Sequence, residues 1–212
     1  MSADGKRVLI CFAVKEEAKP FLRTAVSKRA AILITGMGKR NAEQSLRKYL
    51  KTVRPNLVLS CGFAGGLNPE LKAGETIFSA DDNFPFASKI AIGARRGSFH
   101  CVTRIASTAA EKSVLRLQTG ADAVEMESAI VRRICWEEKI PSATIRVISD
   151  AAHEDLPLDF NQLMTSKCEL SFFKLSLALL AKPWKIPLLL RLGEKAKVAA
   201  ENLNRVLESL PI

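Results

Sequence analysis

Three groups of acidic residues stand where a parallel β-sheet would present them to a ligand. Glu16 and Glu17 follow the first apolar run almost directly, and Glu125 and Glu127 follow a short apolar pair further along. Asp150 comes at the end of another apolar segment. Because functional loops gather at the carboxyl ends of parallel strands, we predict that these carboxylates meet in one cleft. A cleft lined by several carboxyl groups can carry chemistry, so these residues are our candidates for a functional site.

Each of these acids also has a purely structural explanation. An acid in the first turn of a helix offsets the helix dipole, which explains Glu16 as well as a catalytic role does. Glu127 and Asp150 lie at predicted strand ends, and there we favour function.

Two glycine clusters also follow predicted strands, at residues 36–38 and 62–66. Their backbone N–H groups can form nests for a phosphate or a ribose oxygen. Glycines after strands are often no more than tight turns, so each cluster alone is weak evidence for a ligand.

Strand and helix patterns alternate along the chain. Buried strands are predicted at residues 8–12, 57–61 and 142–148, and short strands at residues 31–34 and 123–124. Helices are predicted at residues 15–27, 41–53, 111–118, 127–138 and 194–210. Shorter strands without helices between them are predicted at residues 75–79, 89–92 and 98–102. The alternation indicates an α/β fold in which a central mixed, largely parallel sheet lies between two layers of helices. We expect one domain, with residues 1–160 as its core and residues 161–212 as helices packed on that core.

The composition limits the class of protein. With 48% hydrophobic and 25% charged residues among 212, the chain is neither disordered, nor collagen-like, nor a disulfide-stapled miniprotein. The cysteines are widely spaced without a Cys-x-x-Cys pair, at Cys11, Cys61, Cys101, Cys135 and Cys168. With only two histidines besides, we expect reduced thiols, no metal site and no cofactor.

The chain is strongly basic, with 32 Lys and Arg against 22 Asp and Glu and a net charge of +10. Such a charge is typical of proteins that bind nucleic acid, an anionic membrane or an acidic ligand, and also of an ordinary solvated surface. The chain has a single Tyr, and its Phe residues lie mostly inside apolar runs, so we expect no nucleic-acid partner. The apolar run near the amino terminus is too short for a signal peptide, which predicts a cytoplasmic protein.

Residues 172–191 are apolar, but lysines, Arg191, Pro183 and Pro187 interrupt them. A spanning helix needs about 20 apolar residues in a row, so this segment does not predict one. Apolar side chains mixed with cations are typical of an interfacial segment, which would place the protein peripherally at the inner membrane face. The alternative is that these helices simply cover the sheet.

Four motifs come in an order that resembles the nucleoside phosphorylase and nucleosidase superfamily, which includes purine nucleoside phosphorylases and methylthioadenosine/S-adenosylhomocysteine nucleosidases. They are Gly36-Met37-Gly38-Lys39, Ser60-Cys61-Gly62-Phe63-Ala64-Gly65-Gly66, Val124-Glu125-Met126-Glu127-Ser128 and Arg146-Val147-Ile148-Ser149-Asp150. The likeness covers roughly residues 7–155. Residues 108–112, residues 119–121 and the proline-split tail resemble the hopanoid-associated branch, whose proposed role is to remove adenine from adenosylhopane.

The resemblance implies cleavage of the bond between a purine and ribose. Asp150 matches the acid that gives a proton to N7 of the base, and an Asp there favours adenine. Glu17 falls where nucleosidases keep the carboxylate that orients the attacking water; Glu16 takes that place if the alignment slips by one residue.

The resemblance also implies a set of substrate contacts. Glu127 matches the carboxylate that binds the ribose hydroxyls, and Met126 the residue beneath the sugar. The other expected contacts are Glu125, Ala64, Gly65, Phe63, Ser149, Ile105 and Ala106. Phe63 replaces a smaller residue of nucleosidases, and Ile105 and Ala106 stand near the place of a purine-stacking aromatic. Both departures indicate a substrate other than ordinary methylthioadenosine, or a weakened enzyme.

Water or phosphate could be the attacking group. Leu57 stands where hexameric phosphorylases carry an arginine, and Glu17 resembles the hydrolytic members, so we favour hydrolysis. The phosphate alternative would use Gly38, Lys39, Arg40 and Ser60. A membrane-associated binding protein on an inactive scaffold is the other alternative. The resemblance implies a homo-oligomer, although the segment 79–97, where relatives usually build a subunit contact, is short.

Overall fold

The computed structural model describes residues 8–165 and 171–212, so Cys168 lies outside the described residues. Cys11, Cys61 and Cys135 are buried free thiols, and Cys101 is a half-buried one. These four cysteines are reduced, as the sequence predicts.

The central sheet is mixed and mostly parallel. Its strands are β1 (Val8–Phe12), β2 (Ala31–Ile34), β3 (Leu57–Gly66), β4 (Thr76–Ala80), β5 (Arg95–Arg96), β6 (Phe99–Cys101), β7 (Ala123–Glu125) and β8 (Ser142–Asp150). Along the sheet they follow the order β2-β1-β3-β8-β4-β5. Strands β2, β1, β3 and β8 run parallel, whereas β4 is antiparallel to β8. The short strand β7 pairs antiparallel with the end of β3 and parallel with β6.

Helices pack on both faces of this sheet. They are α1 (Lys15–Leu22), α2 (Lys39–Leu50), α3 (Ala87–Gly93), α4 (Ala109–Thr119), α5 (Ser128–Glu137), α6 (Phe160–Leu163), α7 (Phe172–Ala181) and α8 (Ile186–Glu208), with 3₁₀ turns at Val26–Lys28 and Pro183–Lys185. One apolar cluster joins the sheet to α1, α3 and α8, and a second joins it to α2 and α5. Alternate residues of β1 enter the two clusters, as the period of a strand requires. The three-layer α/β fold is therefore confirmed.

The predicted acids lie at the carboxyl ends of the central strands β3 and β8. Strand β3 continues through its glycines to Gly66, beyond the predicted end at Cys61. The pairing with β8 shifts register between Ala64 and Gly65, so that Gly65 lies opposite Asp150. Because β7 pairs with Gly65 and Gly66, the segment that carries Glu125 is brought to the same edge.

One predicted strand is wrong. Residues 89–92 lie in the helix α3, with Ile90 fully buried and Ile92 80% exposed. Two residues that are two positions apart share a face in a strand but point to different sides of a helix, and only the helix allows this burial. The last helix also begins at Ile186 rather than at residue 194, because Pro187 is tolerated in a first turn.

Candidate active site

A cavity of about 250 Å³ opens at the carboxyl ends of β1, β3, β7 and β8. Every residue predicted as catalytic or substrate-binding lines it: Glu17, Phe63, Ala64, Gly65, Ile105, Ala106, Glu125, Met126, Glu127, Ser149 and Asp150. Of the two adjacent acids of α1, Glu17 is buried and faces the cavity, whereas Glu16 is exposed. The strand-end acids thus share one cleft, while their individual roles stay predictions.

Glu17 is held by backbone N–H groups from two strand ends. Its Oε2 accepts from the N–H of Ala13 at 3.0 Å and of Val14 at 3.2 Å, and its Oε1 accepts from Phe63 at 2.9 Å. Burial raises the pKa of Glu17, although Arg146 and these N–H groups oppose the shift. A carboxyl group fixed in this way can bind a water molecule and take a proton from it.

Gly62 makes room for this carboxyl group. A Cβ atom at Gly62 would lie 2.6 Å from Oε1 of Glu17, well inside van der Waals contact. Any side chain at this position would push Glu17 away from the backbone donors. The glycine in β3 is therefore explained by close approach rather than by a turn.

Glu127 faces the cavity from the turn between β7 and α5. Its Oε1 accepts from the N–H of Gly38 at 2.7 Å, and its Oε2 lies 4.0 Å from Nη2 of Arg146. Burial raises the pKa of Glu127 to about 7; Arg146 opposes this shift, and the carboxylates of Glu125 and Glu17 add to it. Near neutral pH, Glu127 therefore exchanges readily between its charged and neutral forms.

We expect Glu127 to make the fold less stable as pH rises. Its carboxyl group has an ordinary pKa of 4.5 and a pKa of about 7 in the folded chain, so between these values the folded state holds a proton that the unfolded state releases. The variant Glu127→Gln has no ionisable group at this position, so it does not lose stability in this way as pH rises. Its free energy of unfolding relative to wild type should rise by up to about 3 kcal/mol across that window. Urea unfolding at about pH 5 and about pH 8 measures the difference; Glu16→Gln serves as the exposed control. A wild-type–variant difference that is the same at both pH values would contradict this expectation.

Arg146 belongs to the same site, although the motif that contains it predicts no role for it. Its guanidinium is 2% exposed and donates to the carbonyl of Ser60 at 2.8 Å, the hydroxyl of Ser60 at 3.1 Å and Oε2 of Glu125 at 2.7 Å. The carboxylates of Glu17 and Glu127 act electrostatically on the same cation. The available signal was a lone cation inside the apolar strand β8, because a buried charge needs partners.

Glu125 lines the cavity, but its carboxylate is already used within the protein. It accepts from Arg146, from the hydroxyl and N–H of Ser128 at 2.8 Å each, from the N–H of Glu127 at 3.1 Å and from the thiol of Cys101. Burial alone would raise the pKa of Glu125, but Arg146, Cys101 and the backbone donors together lower it. The geometry makes Glu125 an anchor for the turn that carries Glu127.

Asp150 lies at the end of β8 with both carboxyl oxygens engaged. Its Oδ1 accepts from the hydroxyl of Ser149 at 2.5 Å, and its Oδ2 is ion-paired with the ammonium of Lys112. Sequence reasoning assigned no role to Lys112, which lies on the amphipathic helix α4 like an ordinary solvent-facing lysine. The ion pair does not exclude acid chemistry, since the carboxyl group still lines the cavity.

The residues suggested for phosphate do not line this cavity. Lys39 and Arg40 are exposed at the start of α2, and the N–H of Gly38 donates to Glu127. The hydroxyl of Ser60 is bonded to Arg146. The described structure therefore does not gather Gly38, Lys39, Arg40 and Ser60 into one anion-binding cradle.

Comparisons with known proteins identify the family of this chain and agree with its fold. A family model described as "Phosphorylase superfamily" matches residues 9–83 and 81–181. The 5'-methylthioadenosine/S-adenosylhomocysteine nucleosidase of Glaesserella parasuis is 24% identical over 175 residues, which cover 66% of this chain and 76% of that one. Among solved structures, the corresponding nucleosidase of Neisseria meningitidis, in complex with methylthio-immucillin-A, has a TM-score of 0.66 at 18% identity, covering 96% of this chain and 97% of that one. The futalosine hydrolase of Helicobacter pylori has a TM-score of 0.63 at 18% identity and the same coverages.

Proposed function

This chain belongs to the phosphorylase superfamily, and from that premise we propose that it releases adenine from an adenine nucleoside by hydrolysis of the N-glycosidic bond. The carrying observation is that Glu17, Glu127 and Asp150 converge on one cavity. A relative named as a 5'-methylthioadenosine/S-adenosylhomocysteine nucleosidase supports the same chemistry.

Asp150 acts on the departing base. When the bond between C1′ and N9 breaks, its electron pair moves into the purine, and a proton placed on N7 lets the base leave as a neutral molecule. General acid catalysis of this kind contributes about 10²–10⁴-fold. A carboxylate also accepts a hydrogen bond from a 6-amino group, whereas a 6-oxo group would face it acceptor to acceptor. This supports adenine as the base.

Glu17 and Glu127 act on the sugar side. Glu17 takes a proton from the attacking water while the water oxygen bonds to C1′. Glu127 accepts hydrogen bonds from the ribose hydroxyls, which favour its charged form. Glu17, Glu125 and Glu127 lie near the guanidinium of Arg146. Because the three carboxylates outnumber this cation, they can stabilise the positive charge that develops on the ribose.

Hydrolysis rather than phosphorolysis is supported by two features. The backbone-held carboxyl group of Glu17 provides a base for water, which phosphate does not need. The residues suggested for phosphate are exposed or bonded elsewhere, and Leu57 is a buried apolar residue of β3.

Incubation with adenosine, 5′-methylthioadenosine and longer 5′-alkylated adenosines, with and without phosphate, tests the proposal. Chromatography should detect adenine and a free pentose without phosphate. Adenine only with phosphate, together with a pentose 1-phosphate, would establish the phosphorylase alternative. If no adenine forms under either condition, the result would support the alternative of a binding protein on an inactive scaffold.

We also propose that the nucleoside carries a large apolar 5′ group, with adenosylhopane as the candidate from the hopanoid-associated branch. Leu156 and Leu192 border the site cavity, and a neighbouring cavity of about 360 Å³ shares both of them with Asp150 and adds Leu188. These three leucines provide apolar contacts for a hydrocarbon substituent, beside charged residues that line the same cavity.

A peripheral membrane contact through residues 172–191 belongs to the same proposal. Within the described residues, no helix has both the length and the apolarity needed to cross a bilayer. Leu180 is 80% exposed, Trp184 66% and Leu190 65%, and Lys182 and Lys185 lie beside them. Exposed apolar groups with cations suit an anionic interface. The cytoplasmic location and the homo-oligomer stay predictions.

Co-sedimentation with anionic vesicles at low salt tests this contact. Trp184→Ser should weaken it, whereas Trp136→Ser, which changes a Trp that is 80% exposed on α5, should not. No co-sedimentation of the wild type, or equal loss in both variants, would contradict the membrane contact.

A further inference from the structure

We propose that Lys112 is the positioning residue of Asp150: it holds the carboxyl group in place and stabilises the carboxylate that remains when the proton has passed to the base. This inference rests on the proposed function and adds to it a residue whose partners come from a distant part of the chain.

The ammonium group of Lys112 occupies a specific site. The side chain is fully buried, and its Nζ donates to the carbonyl of Ala151 at 2.9 Å and that of Glu154 at 2.8 Å, besides the ion pair with Asp150. Two of the three N–H donors of the ammonium are thus hydrogen-bonded to backbone carbonyls, and its charge is balanced by the ion pair with Asp150. Lysines on amphipathic helices normally extend to solvent, and a buried one without full pairing is strongly unfavourable. The inward direction of Lys112 therefore depends on Asp150 and the segment that follows it.

These contacts fix the orientation of the carboxyl group. Lys112 engages Oδ2 of Asp150, while Ser149 donates to Oδ1 at 2.5 Å. Gly65 lies next to the pair, and a Cβ there would make ordinary van der Waals contact, at 3.4 Å from Oδ2 and 3.7 Å from Cε of Lys112. The acid thus faces the cavity in one defined position, as proton transfer requires.

The interaction between Lys112 and Asp150 changes during the reaction, because Asp150 loses its proton. Asp150 gives its proton to N7, the C1′–N9 electron pair moves into the purine, the water oxygen bonds to C1′, and a water proton passes to Glu17. Asp150 ends as a carboxylate in contact with a buried ammonium. The protonated acid is neutral and forms no ion pair with the ammonium, whereas the carboxylate left by transfer does, so Lys112 favours the transition state over the protonated ground state.

Other charged groups face this region from the neighbouring elements. Glu154 is paired with Lys195 of α8 at 2.6 Å, and Asp155 and Arg191 line the adjacent cavity. Among the described residues, 8–165 and 171–212, the cation that forms an ion pair with Asp150 is Lys112. The test therefore changes Lys112 and leaves the other charges in place.

The test is a double-mutant cycle with a pH profile. Lys112→Met should lower kcat for adenine release by about tenfold to a hundredfold, and the pH profile of the rate should change because a charge in contact with the acid is lost. In an Asp150→Asn background the same change should alter kcat by less than about twofold. Lys197→Met, which changes an exposed lysine, is the control and should leave kcat unchanged.

An equal loss in both backgrounds, or an unchanged pH profile, would assign Lys112 a merely structural role and overturn the proposal. Circular dichroism and thermal melts check folding. If Lys112→Met does not fold, Lys112→Gln removes the charge but keeps a donor for the carbonyls, and the same outcomes apply to it.

Calorimetry separates this proposal from the proposed function. Adenine is titrated into wild type and Lys112→Met in buffers of different ionisation enthalpy, which gives the number of protons taken up on binding. We expect that number to differ between the two proteins. A wild type that binds adenine but releases none would overturn the nucleosidase activity alone. Equal proton uptake would overturn the role of Lys112, and no adenine binding would overturn both.

Discussion

Replacing Asp150 by Asn is expected to lower kcat for adenine release by about 10²–10⁴-fold. The amide has nearly the same shape as the carboxyl group, so it fills the same place at the end of β8. It has no acidic proton for N7, and the base would have to leave as an anion. Adenine release measured over a range of substrate concentrations should show the loss in kcat rather than in KM.

Stability must be measured beside this loss, because Asp150→Asn leaves the buried ammonium of Lys112 without its anion. We expect a destabilisation of about 1–3 kcal/mol, which a thermal melt detects. Ser149→Ala removes the hydrogen bond to Oδ1 without removing the acid, so it is the matched control and should cost far less in kcat. A folded Asp150→Asn protein within about threefold of wild-type turnover would remove Asp150 from the role of acid.

The variant Glu17→Gln should lower kcat by a similar factor, about 10²–10⁴-fold. A glutamine cannot take a proton from water. Its amide also has a donor end, whereas both oxygens of Glu17 accept from backbone N–H groups. The NH₂ group of the glutamine would point at a backbone N–H group, so two donors would face each other and the side chain would move out of position.

Glu16→Gln provides the comparison, since Glu16 is the exposed neighbour on the same helix. It should keep turnover within about twofold of wild type. The reverse result, with Glu16→Gln inactive and Glu17→Gln active, would show that the position of the water-orienting acid is shifted by one residue. If neither change lowers the rate without phosphate, water activation by α1 is wrong.

The sequence predicts most of the fold because the apolar runs that form β1, β3 and β8 are buried on both faces. The middle of the chain is less predictable. Residues 89–92 are too few for a helical period to be recognised, and the burial of Ile90 is decided by contact with α8.

The convergence of the strand-end acids is predictable from topology, and a lone cation in the apolar strand β8 indicates Arg146, but no local pattern indicates Lys112. Arg146 is bonded to Ser60, 86 positions away, and Lys112 to Ala151, 39 positions away. A lysine in an amphipathic helix has the same local pattern whether it extends to solvent or turns inward. Only the tertiary structure, which supplies the distant carbonyls and carboxylates, decides its direction.

The crowding of Glu17, Glu125 and Glu127 around Arg146 has a consequence for protein engineering. Burial raises the pKa of both Glu17 and Glu127, so the fold holds these two carboxyl groups more easily in their neutral forms than in their charged forms. A screen for heat resistance alone should therefore recover neutral replacements at Glu127. Such variants would be more thermostable than the wild type but catalytically poor, so selection for thermal stability must be coupled to selection for turnover.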